Sequence, residues 1–482
     1  MVNLNSNLKF INSYFIKLIY LIIVFIFFKT FFEYEGNKII YIIFSLVFNF
    51  TIFKILFKKV YFFELFFGIL LWLGFWLKFS IFESNIYISK DIFDGGFFCS
   101  SSLDNINDIL IVSSLGCFGF LLSVFCFNFF SDSLNEKKIS FNDKKKNFLF
   151  VLFFLFIIFY IFIIVCNFIF EIYQKGLFTS SEIEFLFRIL FPFLYNIGFG
   201  AAVCFFIFYF HNYNYKYFYF IIALIIFEGF FTNTSMLSRN MVLYSTSIYL
   251  GYVVLVKQTQ KIEISNLKLF SSFGILLLFF IFSILTTNFQ REAKFKVLEV
   301  DSKIENLNCE ENLNISIFKK NNFIELFLTR SIGIEGVIMT QNNEDLLGFD
   351  LIKKTFKEKK QNNMSFYEKT FFTSKDRTRK YENSNQIILP GIIGYLNFSG
   401  SKIFVFSMMY LIAFIFLIFE KVTIKMTSNY VLASFFSFLI VWRLINFGFL
   451  VSNTAFFILS IIVSLLTIYV IQFYFIRDGL KK

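Results

Sequence analysis

Seven residues carry most of the chemistry this sequence offers: Glu335 and the arginines Arg239, Arg291, Arg330, Arg377, Arg379 and Arg443. An arginine fork binds phosphate oxygens in pairs and keeps its charge at any working pH. A carboxylate beside such a cation can accept a proton from an attacking hydroxyl. Arg330 and Glu335 lie together in "TRSIGIEGVIMT", residues 329–340. On a helix, Phe323, Leu326, Phe327, Ile334, Val337 and Ile338 form one apolar stripe, and Arg330 falls on it three residues after Phe327. A guanidinium on an apolar face must find a partner or reach water. Two readings stay open: an internal arginine–carboxylate pair pins a loop helix onto the bundle, or a fixed cation faces a phosphate. Gly333 and Gly336 allow a close backbone approach or a helix break. On an unbroken helix Glu335 points well away from Arg330.

The other arginines have simpler settings. Arg239, in "NTSMLSRNMVLYS", sits at the mouth of an apolar run behind Ser235 and Ser238. Arg443, in "LIVWRLINFG", lies inside another. An ionisable group at that depth marks a functional site or snorkels to the interface. Arg291, Arg377 and Arg379 add positive charge to a long polar segment, where a solvated face accounts for them. No GxxxxGK[ST] and no HExxH occurs, which argues against ATP-driven transport and zinc proteolysis within this chain. The single histidine, His211, falls in a short turn, and the six cysteines show no paired spacing, so no metal and no cofactor is expected. Glu33 and Glu35, in "FFEYEGNK", are an acidic doublet in a loop of only a few residues.

What must position these groups is a membrane bundle. Of 482 residues, 57% are hydrophobic and 16% charged, with two prolines. About twelve apolar runs of roughly 18–25 residues recur, each long enough to cross a hydrocarbon core. They lie near 10–28, 38–57, 60–78, 108–130, 148–170, 188–210, 216–232, 240–256, 268–288, 402–420, 428–447 and 452–474. The fold expected is all-α and polytopic, in three parts: a bundle over 1–288, a large loop over 289–401 with short helices, and a bundle over 402–482. Phenylalanine, at 83 copies, is explained by codon bias and lipid-facing positions. The net charge of +12 reads as a topology signal, so the partner is the lipid bilayer and no nucleic acid is expected. One set of alternate loops is rich in lysine, including Lys58, Lys59, Lys137, Lys138, Lys144, Lys145 and Lys146. Both termini are therefore expected in the cytoplasm and 289–401 outside. The loop ends in "LPGIIGYLNFSGSK", where Pro390 starts a short helix and Gly391, Gly394 and Gly400 permit bends, the pattern of a re-entrant or interfacial element.

This layout resembles the bacterial oligosaccharide repeat-unit polymerases, the O-antigen polymerase (Wzy-like) group. The resemblance lies in many spans, cytoplasmic ends, one large late outer loop and arginines at its membrane face. "SMLSRNMVL", "RSIGIEGVIM" and "LPGIIGYLNFSGS" are similar to elements of that group. It implies an enzyme of the bacterial inner membrane that joins oligosaccharide units carried on undecaprenyl pyrophosphate. In that reading Arg239 and Arg330 hold the pyrophosphate with help from the remaining arginines, Glu335 is the general base, and no metal is required. A chain-length regulator and a flippase of the same pathway are the implied partners. Two alternatives remain: an O-antigen ligase, whose outer-loop histidine this chain lacks, and a polysaccharide flippase, for which a loop of roughly 110 residues is awkward, since such carriers are built from spans and short connections.

Overall fold

Backbone amides in hydrocarbon have no water to bond, so each apolar run must satisfy them internally, and a helix does so residue by residue. The computed structural model describes residues 2–3, 13–57, 59–84, 103–130, 146–174, 185–213, 217–238, 241–259, 266–299, 333–341, 346–348, 350–357, 390–447 and 451–476. Among these the chain is helical, apart from one two-residue antiparallel pairing of Val2–Asn3 (β1) with Lys59–Val60 (β2). The long helices are α1 (Ser13–Glu33), α2 (Lys38–Phe57), α3 (Phe62–Glu83), α4 (Leu103–Phe130), α5 (Lys146–Phe170), α6 (185–213), α7 (Phe218–Ser235), α8 (Met241–Thr259) and α9 (Asn266–Glu299). Three short helices follow, α10 (Ile334–Gln341), α11 (Asp350–Lys357) and α12 (Gly391–Asn397), then α13 (Lys402–Thr427), α14 (Tyr430–Ile445) and α15 (Val451–Ile476).

Among the described residues, nine helices are long and apolar enough to cross a membrane. The remaining three expected runs are also helical, as α1, α8 and the shorter α14. Two details depart from the sequence expectation. The third run does not stop at residue 78 but continues as helix to Glu83. His211 lies within the last turn of α6, buried, rather than in a turn between helices. The ninth run continues as helix into the expected loop, through Glu299. Cys99 and Cys309 lie outside the described residues.

Two helices are interrupted by a π-helical turn. In α6 it spans Leu194–Gly198, just after Pro192, whose missing N–H breaks the i→i−4 ladder. In α3 it spans Trp72–Leu77 and carries Gly74. Both its tryptophans are tied to α2: Trp72 Nε1 donates to Asn49 Oδ1 at 2.9 Å, and Trp76 Nε1 to Ser45 Oγ at 3.0 Å. Such single-turn bulges recur at functional positions in helices.

The core runs along α14, nearly every residue of which is buried. It packs on α3, α6, α8 and α13. Where α8 crosses α14, Gly251 lies on the backbone of Tyr430 and Val431. Where α4 crosses α13, Gly119 faces the Phe406 carbonyl and a Cβ would lie 3.3 Å from Met409 Cβ. Small residues at crossings let backbones approach where no hydrophobic effect drives association. By contrast α5 and α9 turn rows of Phe, Ile and Leu outward, as lipid-facing helices do.

Two carboxylates inside the bundle tie its helices together. Glu420, on α13, accepts from the backbone N–H of Phe62 at 2.8 Å and of Phe63 at 2.7 Å, and from Ser437 Oγ at 3.1 Å. A distant carboxylate thus caps the start of α3, using two of the donors that any helix N-terminus leaves open. Lys54 and Glu64 form a second pair, 2.8 Å apart, joining α2 to α3.

Candidate functional site

The long segment between α9 and α13 leaves and re-enters at one end of the bundle, the loop end. Its two short helices α10 and α12 do not lie on top of that end; they are inserted between helices. Ile393 of α12 packs on Gly116, halfway along α4. Gly333, just before α10, meets the backbone of Gly74 in the π turn of α3, where a Cβ would lie 2.6 Å from Gly74 Cα. The two short helices also touch backbone to backbone. Gly336 abuts the Pro390 carbonyl, and a Cβ on Gly394 would stand 2.6 Å from the Gly336 carbonyl carbon. Only glycine leaves room for such contacts.

Polar bonds close the pair. Asn397 Nδ2 donates to Thr340 Oγ1 and to Gln341 Oε1, both at 3.1 Å, and Leu347 N donates to Phe398 O at 3.0 Å. Gly391, at φ +67°, turns its N–H to Phe447 O at 2.9 Å, and the Tyr395 ring meets Phe447 edge-on at 4.8 Å. The re-entrant pair is therefore anchored to the end of α14, four residues beyond Arg443. Ile334, Val337 and Ile338, three members of the expected apolar stripe, are buried within it. The earlier members, Phe323, Leu326 and Phe327, lie outside the described residues.

Glu335 projects from α10 to Lys78 on α3, with Nζ 2.6 Å from Oε1. Lys78 is 1% exposed and the Glu335 side chain 13%. The second carboxylate oxygen, Oε2, is buried with no hydrogen-bond partner among the described residues. An ion pair thus joins this loop helix to the bundle, with Lys78 as its cation. Arg330, five residues before Glu335, lies outside the described residues. Sequence reasoning passed over Lys78 because it stood at the apparent end of an apolar run. The signal was present: "KFSIF" continues apolar for four residues beyond it, so the lysine sits inside a helix.

Arg443 is the other described arginine near this end, in the last turn of α14. Its Nε donates to Thr454 Oγ1 at 3.2 Å, and its guanidinium stands 5.7 Å from the centre of the Phe457 ring, both on α15. Tyr173 is within its electrostatic reach. Burial raises the phenol's ionisation above its ordinary range, against the opposing pull of a hydrogen bond from Asn196 and of the Arg443 charge. Asn196 Nδ2 donates to the Tyr173 hydroxyl at 3.0 Å. Behind them, Asn167 Nδ2 donates to Ser235 Oγ at 2.9 Å, and the Tyr195 and Ser235 hydroxyls are 3.0 Å apart. The buried turn 236–238 then carries the chain toward Arg239, itself outside the described residues.

Arg291 lies on α9, which packs on α7 and α8. Arg377 and Arg379 lie outside the described residues. Glu335 thus sits on α10 of the inserted pair, and Arg443 on α14, whose end the pair touches at Phe447. Chemically, this end of the bundle offers a carboxylate with one oxygen committed to a lysine, a guanidinium bonded to a threonine, and several hydroxyls and amides. No protein-family model, curated protein or solved structure matches this chain.

Proposed function

We propose that the protein is a membrane glycosyltransferase that polymerises lipid-pyrophosphate-linked oligosaccharide units into a surface polysaccharide. In this reading all twelve long helices span the bacterial inner membrane, both termini are cytoplasmic, and the loop end faces out. The observation that carries it is the insertion of the loop helices α10 and α12 into the bundle, with Glu335 held at Lys78 and Arg443 on the adjoining helix end. A site for two lipid-linked sugars needs polar groups walled by helices, and loop helices inserted in a bundle are one way to wall them.

The growing chain is the donor. Its anomeric carbon is attacked by a hydroxyl of the incoming unit, and undecaprenyl pyrophosphate leaves. Pyrophosphate departs readily, so the protein's work is to neutralise its charge, align two substrates and take one proton. Arg239, Arg330 and Arg443 serve the first task, with Arg291, Arg377 and Arg379 as further positive charge. The fixed helices serve the second, and Glu335 the third. A chain-length regulator and a flippase would act beside such an enzyme.

A second reading, a carrier of lipid-linked sugars, draws on the π-interrupted helices α3 and α6 and on Glu228. That carboxyl is buried in α7 and accepts from Thr232 Oγ1 at 3.3 Å. Interrupted helices and interior carboxyls are also what transporters use. Deleting the gene and resolving the surface glycolipid on a gel separates the readings. A core bearing a single repeat unit identifies a polymerase. Loss of every unit with polymer left on the lipid carrier means a ligase, and units trapped on the cytoplasmic side mean a carrier. Glu335→Gln and Arg330→Ala, at normal protein level, should each reproduce the single-unit phenotype.

A further inference from the structure

Lys78 has no part in the reaction as drawn above, and its position calls for one. An ammonium buried within an apolar helix is costly and persists where a partner and a task hold it. Its partner arrives from 257 residues away, on a loop helix. Glu335 has little freedom of its own. The backbone on both sides is fixed, by Gly333 on Gly74 and by Gly336 on Pro390. Its Oε1 is occupied by Lys78 at 2.6 Å, and its Oε2 is buried without a donor among the described residues. A buried carboxylate oxygen left open is a standing cost, relieved when a hydroxyl donates to it.

The geometry points to Lys78 as the positioning residue of Glu335: by holding Oε1 it presents Oε2 as the atom that receives the acceptor sugar's hydroxyl proton. The assignment rests on the polymerase reading. In the step, the acceptor O–H proton passes to Oε2 and the sugar oxygen bonds to the anomeric carbon of the growing chain. The bond from that carbon to the pyrophosphate oxygen breaks, and its electron pair leaves with the lipid pyrophosphate. Lys78 touches neither sugar; it fixes the direction from which the proton is taken.

The test uses the full-length protein in lipid nanodiscs, with a synthetic undecaprenyl-pyrophosphate-linked repeat unit as donor and acceptor. Lys78→Gln should lower kcat about 100-fold, as misplacing a reacting group by an ångström does, while KM stays within about twofold of the wild type because substrate binding is untouched. Lys78→Arg, which keeps the charge and a donor to Oε1, should recover most of the lost rate. A cycle with Glu335→Gln separates the role from a structural one. If Lys78 acts through Glu335, Lys78→Gln costs nothing more once the base is already an amide; a structural role predicts a further loss of the residual rate. If Lys78→Gln alone fails to fold, the arginine and double variants decide the matter. Full kcat in Lys78→Gln, or a further loss in the double variant, overturns the assignment while leaving the polymerase standing. A wild-type protein that elongates nothing overturns the polymerase reading, and this assignment with it.

Discussion

Replacing Gly336 by alanine tests the re-entrant pair by the sign of its effect. Gly336 is the third residue of α10 and its φ is not positive, so the backbone itself accepts a side chain. In an unencumbered helix the change would stabilise by about 1 kcal/mol, since glycine is the poorer helix former. Here the new Cβ would stand 2.7 Å from Pro390 Cα and nearer still to the Pro390 carbonyl. An ordinary carbon–carbon contact begins at 3.4 Å, so α10 and α12 must separate by at least about 0.7 Å. Pro390 is backbone and cannot swing aside, so overpacking costs toward the upper end of the usual range, about 3 kcal/mol. Set against the helix preference, the net effect is a loss of about 2 kcal/mol. The same displacement shifts Glu335 relative to Lys78. All three tryptophans, Trp72, Trp76 and Trp442, flank this region, so melts followed by intrinsic fluorescence report on it directly. A Gly336→Ala protein that melts higher than the wild type would refute the close approach of α10 to α12, and with it the inserted pair.

Two other substitutions have defined outcomes. Glu420→Ala leaves two helix-start N–H groups and the Ser437 hydroxyl without their acceptor, and should destabilise by about 3 kcal/mol in the same melts; Glu420→Gln, which keeps one acceptor oxygen, should fall between. An unchanged melting point for Glu420→Ala would mean that Glu420 does not cap α3. Arg443→Ala should cut polymerisation about 100-fold if the guanidinium meets phosphate, with Arg443→Lys recovering only part, since an ammonium lacks the paired fork. Equal activity for all three forms would leave Arg443 as an interfacial anchor on Phe457 and Thr454.

The helices were legible because their signal is long and redundant: one polar residue in a run of twenty does not hide it. The same redundancy concealed Lys78. A lysine at the edge of a smoothed apolar window looks like a boundary, and only the continued helix to Glu83 shows it to be interior. The short helix after Pro390 could be read from that proline and from the length of the apolar stretch. Its partner could not, because Gly336 and Gly394 are 58 positions apart and nothing local records that they touch. Arg330 drew attention as the charged residue on an apolar stripe, and it lies outside the described residues. The pairing of Glu335 with Lys78 is a tertiary fact. Periodicity gives the face a residue occupies and is silent on what the opposite face supplies.

That pairing also bears on why the charges are there. Removing two charges from water costs more than their attraction usually returns, so an apolar pair of equal volume in place of Lys78 and Glu335 would hold the helices at least as well. The Lys54–Glu64 pair, ten positions apart, joins consecutive helices. Lys78–Glu335 joins no consecutive helices, and Gly333 on Gly74 together with Gly336 on Pro390 already fixes the depth and register of α10 through backbone contact. A charge pair that packing makes redundant for anchoring is explained by what it does to the carboxylate. It keeps one oxygen occupied and leaves the other without a hydrogen-bond partner among the described residues. Stability alone does not call for Lys78; a directed carboxylate does.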